Sequence, residues 1–192
     1  MARPSMAGQR KEEILDALEV CILEKGIQAT SLEYLAETAK MKRTILRHYI
    51  GNRDEIICAL SARWTAAYAQ QWQDTLTWLP TNNRADALID ILFSSRSSEH
   101  INNTIIGEAL FSEAKRLPEI KLDQEKIMAE FTAHLITELI SQYPSAASET
   151  VELVAVGVYA NYLMSESLLP LAMIDEVIKL KKSTLLLIST LA

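Results

Sequence analysis

Glycine and proline are scarce in this chain, which has five of each among 192 residues. Folds built from many short strands need these residues at their turns, so we do not expect such a fold here. The chain also has no run of 18 residues without a charge, as a membrane-spanning helix would require. The amino-terminal sequence is polar and lacks the apolar stretch of a signal peptide. We therefore expect a helical, soluble, cytoplasmic protein.

Cysteine is equally rare, since Cys21 and Cys58 are the only two. Both fall on apolar faces of predicted helices, where buried structural thiols are the usual finding. Two such residues are too few for a disulfide framework or a cysteine metal site. The sequence also has no cofactor fingerprint, so we predict no metal and no cofactor.

The segment Ala39–Arg53 has a charge pattern unlike the rest of the chain. It carries five Lys/Arg and one His and no acidic residue, although the whole chain has 19 Lys/Arg against 25 Asp/Glu. Residues 1–63 hold 10 basic and 9 acidic residues, whereas residues 64–192 hold 9 and 16. A basic segment in an acidic protein indicates a polyanionic partner, with nucleic acid as the simplest one.

Local signals place this basic segment on the second of two short helices. Thr30, with Glu33 three residues later, has the capping-box pattern and predicts the start of a helix that reaches about Thr38. A third helix is expected to begin near Lys42, with Ile45, Leu46 and Tyr49 facing the core, and to end at Gly51. Two short helices joined by a tight turn, the second one basic, are typical of a helix-turn-helix.

The rest of the chain has helical periodicity without a strand signal. Asn52 is placed to cap a long helix over 53–79, which Pro80 ends. We predict an all-α protein with an N-terminal three-helix helix-turn-helix domain, residues 1–52. The long helix would join it to a helical domain, residues 53–192. The last two predicted helices are strongly apolar, as expected if two copies dimerise through them.

Residues 9–60 resemble the DNA-binding domain of TetR-family transcriptional regulators. The resemblance rests on Ile14-Leu15, Ala17, Gly26, Thr30-Ser31-Leu32, Leu35-Ala36, Ala39, Leu46 and His48-Tyr49-Ile50-Gly51-Asn52-Arg53-Asp54-Glu55-Ile56. It implies a homodimer that places two recognition helices on a palindromic double-stranded DNA operator. It also implies a second domain with a pocket for a small-molecule effector.

Four positions depart from the commonest family pattern. Lys40 stands where many members have glycine, and Ile45, Arg47 and Ile50 stand where many have Thr, Tyr and Phe. Either Lys40 tolerates a turn conformation that suits glycine, or the turn differs slightly from the common one. Arg47 could reach either a phosphate or a guanine edge.

The resemblance and the basic pattern together give the DNA-binding candidates. We predict phosphate contacts from Thr30, Ser31, Lys42, Tyr49 and Arg53. Tyr49 could instead pack in the core, or do both. We predict base contacts from Arg43, Thr44, Arg47 and His48. Arg3 and Arg10 are further candidates for a phosphate or minor-groove contact.

Aromatic residues and one histidine of the second domain are candidates for the effector pocket. They are Trp64, Tyr68, Trp72, Phe93, Phe111, Phe131, His134, Tyr159 and Tyr162. Taken singly, such a side chain is more often ordinary core than part of a pocket. The acidic charge of this half favours a neutral or cationic ligand.

The favoured function is a ligand-responsive repressor that leaves its operator when the effector binds. A regulator without an effector, or an activator, remains an alternative. An enzyme is disfavoured because the sequence shows no nucleophile motif and no Glu-x-x-His pair. A protein-binding helical scaffold would leave the basic segment unexplained.

Overall fold

The computed structural model describes residues 6–94 and 96–192, and the regular secondary structure of these residues is entirely helical. The all-α prediction is therefore confirmed. A single turn of 3₁₀ helix, Leu169–Leu171, precedes the last helix. The α-helices are α1 Met6–Lys25, α2 Leu32–Thr38, α3 Arg43–Ile50, α4 Arg53–Trp78, α5 Arg84–Leu92, α6 Ser98–Glu113, α7 Pro118–Gln142, α8 Ser148–Leu168 and α9 Ile174–Ser189.

The described residues form two compact units. The first unit contains the chain up to Ala66 together with Ile105–Gln124, and the second contains Ala67–Thr104 and Glu125–Ala192. Helices α4, α6 and α7 each contribute residues to both units. Nothing in the sequence pattern indicated that 105–124 belongs with the first helices. The division at residue 52 was drawn from helix order alone, and it stays a prediction.

The core of the first unit is built on the apolar stripe of α1. Its members Ile14, Leu15, Leu18, Cys21 and Ile22 are all buried, as the helical spacing predicted. Burial also raises the pKa of the Cys21 thiol above its usual value, which keeps it protonated. The partners of this stripe come from α2, α3, α4 and the 105–124 segment. They are Leu35, Ala36, Leu46, Ile56, Ile57, Leu60, Ile106, Leu110 and Ile120.

Three helix ends in the first unit follow local chemistry. Gly26 has a φ of 80° after α1, a conformation that glycine adopts without strain. Asn52 caps α4, because its Oδ1 accepts from the backbone N–H groups of Asp54 at 2.9 Å and Glu55 at 3.1 Å. The predicted Thr30 cap is wrong. Ser31 precedes α2 and accepts from Tyr34 N at 3.1 Å, since the Thr30 hydroxyl donates to Gly26 O at 3.0 Å instead.

The second unit has its own core, made by α4, α5, α7, α8 and α9. Helices α8 and α9 pack directly against each other, and a side chain at Gly157 would come within 2.9 Å of Leu187 Cδ1. Asn161 of α8 donates to Thr184 of α9 at 3.1 Å, which satisfies a buried hydroxyl. The faces by which α8 and α9 meet are therefore closely packed.

Lys40 lies in the turn between α2 and α3 with a φ of 52°. This is the left-handed region, which costs a residue with a side chain about 1–2 kcal/mol. The turn needs this conformation because the N–H groups of Lys40 and Met41 donate back to Glu37 O and Ala36 O. The strain expected from a lysine at a glycine position is thus present.

We predict that Lys40→Gly raises the free energy of unfolding by about 0.5–1 kcal/mol, because relief of strain exceeds the added entropy of the unfolded chain. Urea unfolding followed by circular dichroism measures the change. Lys40→Ala is the control, since alanine keeps the strain and should give no gain. Equal midpoints for Lys40→Gly and Lys40→Ala would contradict the explanation.

Candidate nucleic-acid interface and ligand cleft

Helix α3 is held in the first unit by one fully buried side chain, Leu46. Tyr49 and Ile50 lie beside it half-buried, so a narrow stripe faces the core. The rest of the helix surface is exposed and carries the predicted contact residues of this helix. They are Lys42, which precedes α3 as its N-cap, and Arg43, Thr44, Arg47 and His48.

Ile45 does not face the core, contrary to the prediction. Its side chain is 42% exposed. It precedes Leu46 by one residue, about 100° around the helix, so a stripe centred on Leu46 leaves it at the edge. The exposed basic surface of α3 therefore contains one apolar side chain, that of Ile45.

Arg43 is already engaged in the unbound protein. Its guanidinium forms an ion pair with Glu33 of α2, and both side chains are more than half exposed. An exposed pair of this kind contributes little to stability, so DNA could displace Glu33 at low cost.

Thr30 and Arg53 point into the protein rather than outward. Thr30 is 4% exposed. The Arg53 guanidinium donates to Thr30 O at 3.0 Å and to Ile27 O at 2.5 Å. It thereby holds the loop between α1 and α2 against the start of α4. The only sequence signal of this role is weak: a loop of uncapped carbonyl groups needs a donor with several N–H groups.

Two other predicted DNA contacts, Ser31 and Tyr49, also make contacts within the protein. Ser31 is exposed at the start of α2, where its hydroxyl accepts from Tyr34 N. The Tyr49 ring packs against the core of the first unit and meets His48 edge-on, with centroids 5.2 Å apart. Arg10 forms an ion pair with Glu13 on α1, and Arg3 lies outside the described residues.

A polar network missed by the sequence analysis ties the 105–124 segment to the first helices. The buried Glu113 carboxylate accepts from Arg116 Nε at 2.8 Å and from the Gln28 amide. Arg116 also donates to Asp54 of α4 at 2.7 Å. That hydrogen bond holds the pKa of Asp54 below its usual value. The contacts of this network to Gln28 and Asp54 are hard to predict from sequence, because they join residues 85 and 62 positions apart.

The aromatic candidates for the effector pocket separate into three groups. Tyr68, Trp72 and Tyr162 line a cleft in the second unit. Trp64 and Phe111 belong to the first unit, where the Trp64 indole donates to Glu19 at 2.7 Å and Phe111 is exposed. The remaining candidates pack around the cleft walls as core or ring contacts. They are Phe93, Phe131, His134 and Tyr159.

The cleft is open to solvent, and the value of about 380 Å³ for the space between its residues includes solvent at the mouth. Its apolar walls are the three rings with Ile91 and Leu92, and its polar lining comprises Gln71, Thr75, Arg96 and His100. Gln71, Thr75 and Arg96 carry no sequence signal for this role, and only the fold brings Arg96 and His100 beside α4.

Comparison with solved structures gives the class of the fold. A TetR transcription regulator from Haloarcula marismortui is 13% identical, with 95% of this chain and 97% of that chain covered and a TM-score of 0.78. A TetR-family regulator from Mesorhizobium loti is 12% identical, with 98% and 97% covered and a TM-score of 0.67. The reduced form of Escherichia coli NemR is 18% identical, with 92% and 95% covered and a TM-score of 0.71. The chain therefore has the fold of TetR-type transcriptional regulators.

No protein-family model matches the sequence, and no curated protein matches it in a sequence search. Among the described helices, none is both long and apolar enough to span a membrane. Within the same residues, no group of three or more His, Cys, Asp or Glu side chains is arranged to hold a metal.

We predict that Arg53→Ala lowers the free energy of unfolding by about 2 kcal/mol, because two carbonyl groups lose a charged donor. Urea unfolding measures the change. Arg47→Ala removes an equal charge from the exposed face and should cost less than about 0.5 kcal/mol. Similar losses for the two variants would show that the Arg53 hydrogen bonds do not stabilise the loop.

Proposed function

We propose that this protein is a TetR-family transcriptional repressor that binds a palindromic operator as a homodimer and is released by a small-molecule effector. The observation that carries the proposal is the exposed, acid-free basic face of α3, fixed on a helix-turn-helix through Leu46. The fold shared with solved TetR-type regulators supports the same class.

In this proposal the residues of α3 and its N-cap have different roles in DNA recognition. Lys42 lies at the helix start, where free backbone N–H groups also attract a phosphate. Arg43, Thr44, Arg47 and His48 reach base edges, and the exposed Ile45 offers an apolar contact to a thymine methyl. Ser31 and Tyr49 position the phosphate backbone.

Thr30 and Arg53 enter the proposal in a different way. They hold the loop before α2 in place, so they act on DNA affinity through the orientation of Ser31 and α2. Arg53 is still 29% exposed, and its own phosphate contact stays a prediction.

The homodimer is proposed to form through α8 and α9. These helices pack against each other and still expose large apolar side chains, an area that a monomer rarely leaves to water. The most exposed are Leu153, Val156, Met164, Ile174, Ile178, Leu185 and Leu186.

The effector is proposed to act by a population shift. An effector that prefers one dimer geometry changes the separation of the two α3 helices, which must match about 34–36 Å of B-DNA. Helix α4 contributes residues to both units and is the element through which we expect the change to pass.

Selection of bound sequences from a random duplex pool tests the proposed function. We expect a recovered palindrome that shifts in a gel at physiological salt. A helical scaffold or an enzyme would give no enriched sequence, and the absence of any shift at low salt would overturn DNA binding.

We predict that Arg47→Ala weakens binding to the selected sequence by about tenfold or more, the value of one bidentate contact to guanine, and changes random-DNA binding much less. Both affinities are measured at matched salt, since phosphate contacts depend on salt concentration. Lys126→Ala on α7 removes the same charge in the second unit and should leave both affinities unchanged. Equal losses on the two DNAs would remove Arg47 from the base-reading residues.

We predict that Leu186→Glu shifts the protein toward monomer, because it places a charge in the apolar face of α9 where Leu186 is 70% exposed. Sedimentation velocity measures the distribution over a concentration series. Leu122→Glu is the matched control, since Leu122 is 64% exposed in the first unit. A dimer in Leu186→Glu as stable as in the parent would place the interface elsewhere.

A further inference from the structure

The polar lining of the cleft in the second unit carries basic residues, which is unusual for an acidic protein. Arg96 and His100 line it, and none of the described lining residues is acidic. The Glu166 carboxylate contacts both of these residues, is not part of the lining and accepts from three donors. They are His100 Nε2 at 2.5 Å, Thr104 Oγ1 at 2.9 Å and Arg96 at 3.4 Å.

The three contacts to Glu166 differ in length, and the longest one, from Arg96, identifies the group that is available to a ligand. Glu166 is well served by His100 and Thr104, so it does not depend on the long contact from Arg96. One terminal nitrogen of Arg96 donates to Leu92 O as well as to Glu166. Within the described residues, the other terminal nitrogen has only a 3.4 Å contact to Ser94 Oγ. Arg96 therefore has donors left for a ligand, while its side chain is only 14% exposed.

The rest of the lining suits a flat ring. Trp72 meets Tyr68 edge-on with centroids 6.2 Å apart, and Tyr162 stacks on Phe131 behind the wall. Burial raises the pKa of the Tyr68 and Tyr162 hydroxyl groups above their usual values, so neither tyrosine adds negative charge. Gln71 and Thr75 add neutral hydrogen-bonding groups at the edge.

We propose that this cleft binds a small single-ring aromatic carboxylate, with the ring between the aromatic walls and the carboxylate on Arg96. The inference rests on the proposed function, because it names the chemical class of the effector. It replaces the expectation of a neutral or cationic ligand, which rested on the charge of the whole half. The charge beside the cleft determines the preferred ligand instead, since buried groups are screened much less than surface charges.

A cationic ligand is the strongest competitor. Three aromatic rings could surround a quaternary ammonium group through cation–π attraction. Such a ligand would have to lie beside Arg96, and the guanidinium repels it.

The test titrates the full-length protein with three probes of one ring each, namely benzoate, benzyl alcohol and benzyltrimethylammonium, by ligand-observed NMR. We expect saturable binding of benzoate, about tenfold or more tighter than of benzyl alcohol, because only benzoate makes a charged pair. Stronger binding of benzyltrimethylammonium, equal binding of benzoate and benzyl alcohol, or no saturable benzoate binding would each overturn the proposal.

Variants assign the effect to Arg96. Arg96→Gln should remove the preference for benzoate over benzyl alcohol and leave benzyl alcohol binding unchanged. Lys126→Gln removes one charge on α7 of the same unit and should keep the preference. If Arg96→Gln does not fold, Arg96→Lys carries the test, because it keeps the charge and loses the planar fork. It should weaken benzoate several-fold, and an unchanged preference in it would remove Arg96 from the site.

The DNA gel shift separates this inference from the proposed function. DNA binding without any Arg96-dependent benzoate binding would overturn the ligand class and leave the regulator proposal standing. Arg96-dependent benzoate binding with no effect on operator affinity would support the site and remove its role in release from DNA.

Discussion

The burial of Leu46 is the constraint on which the proposed interface depends. Helix α3 has eight residues, too few to be stable alone in water, and its polar face makes few contacts with the rest of the protein. One leucine at full burial, with Tyr49 and Ile50 beside it, fixes the rotation of this helix. The basic side chains Arg43, Arg47 and His48 are then all exposed. The narrow apolar stripe of Leu46, Tyr49 and Ile50 thus determines which side chains of α3 are exposed. Ile45 is one of them.

Much of the fold could be predicted because its signals are local. Helical spacing identified the buried stripe of α1, Gly26 marked its end, and Asn52 marked the start of α4. The Thr30 cap failed because two neighbouring hydroxyl residues compete for one role, and the geometry of the loop gives it to Ser31. Propensity alone does not distinguish the two.

The candidate sites were harder to predict, because long-range partners decide what each polar side chain does. Arg53 has the charge of a phosphate contact, yet its donors serve loop carbonyl groups. Arg96 and His100 carried no motif, and the fold sets them beside the aromatic residues of α4. The net charge of the second half favours a different ligand from the one we propose for the cleft, since it averages over all the surface residues of that half.

The membership of 105–124 in the first unit has a consequence for how the protein can be divided. A fragment ending at Ala66 would lack Ile106, Leu110 and Ile120, and their core partners would face water. It would also lack Glu113 and Arg116, so Gln28 and Asp54 would lose their partners. The two short helices α2 and α3 are therefore completed by a segment that begins at Ile105, 55 positions after α3 ends at Ile50, and a graft onto another protein would have to carry both pieces.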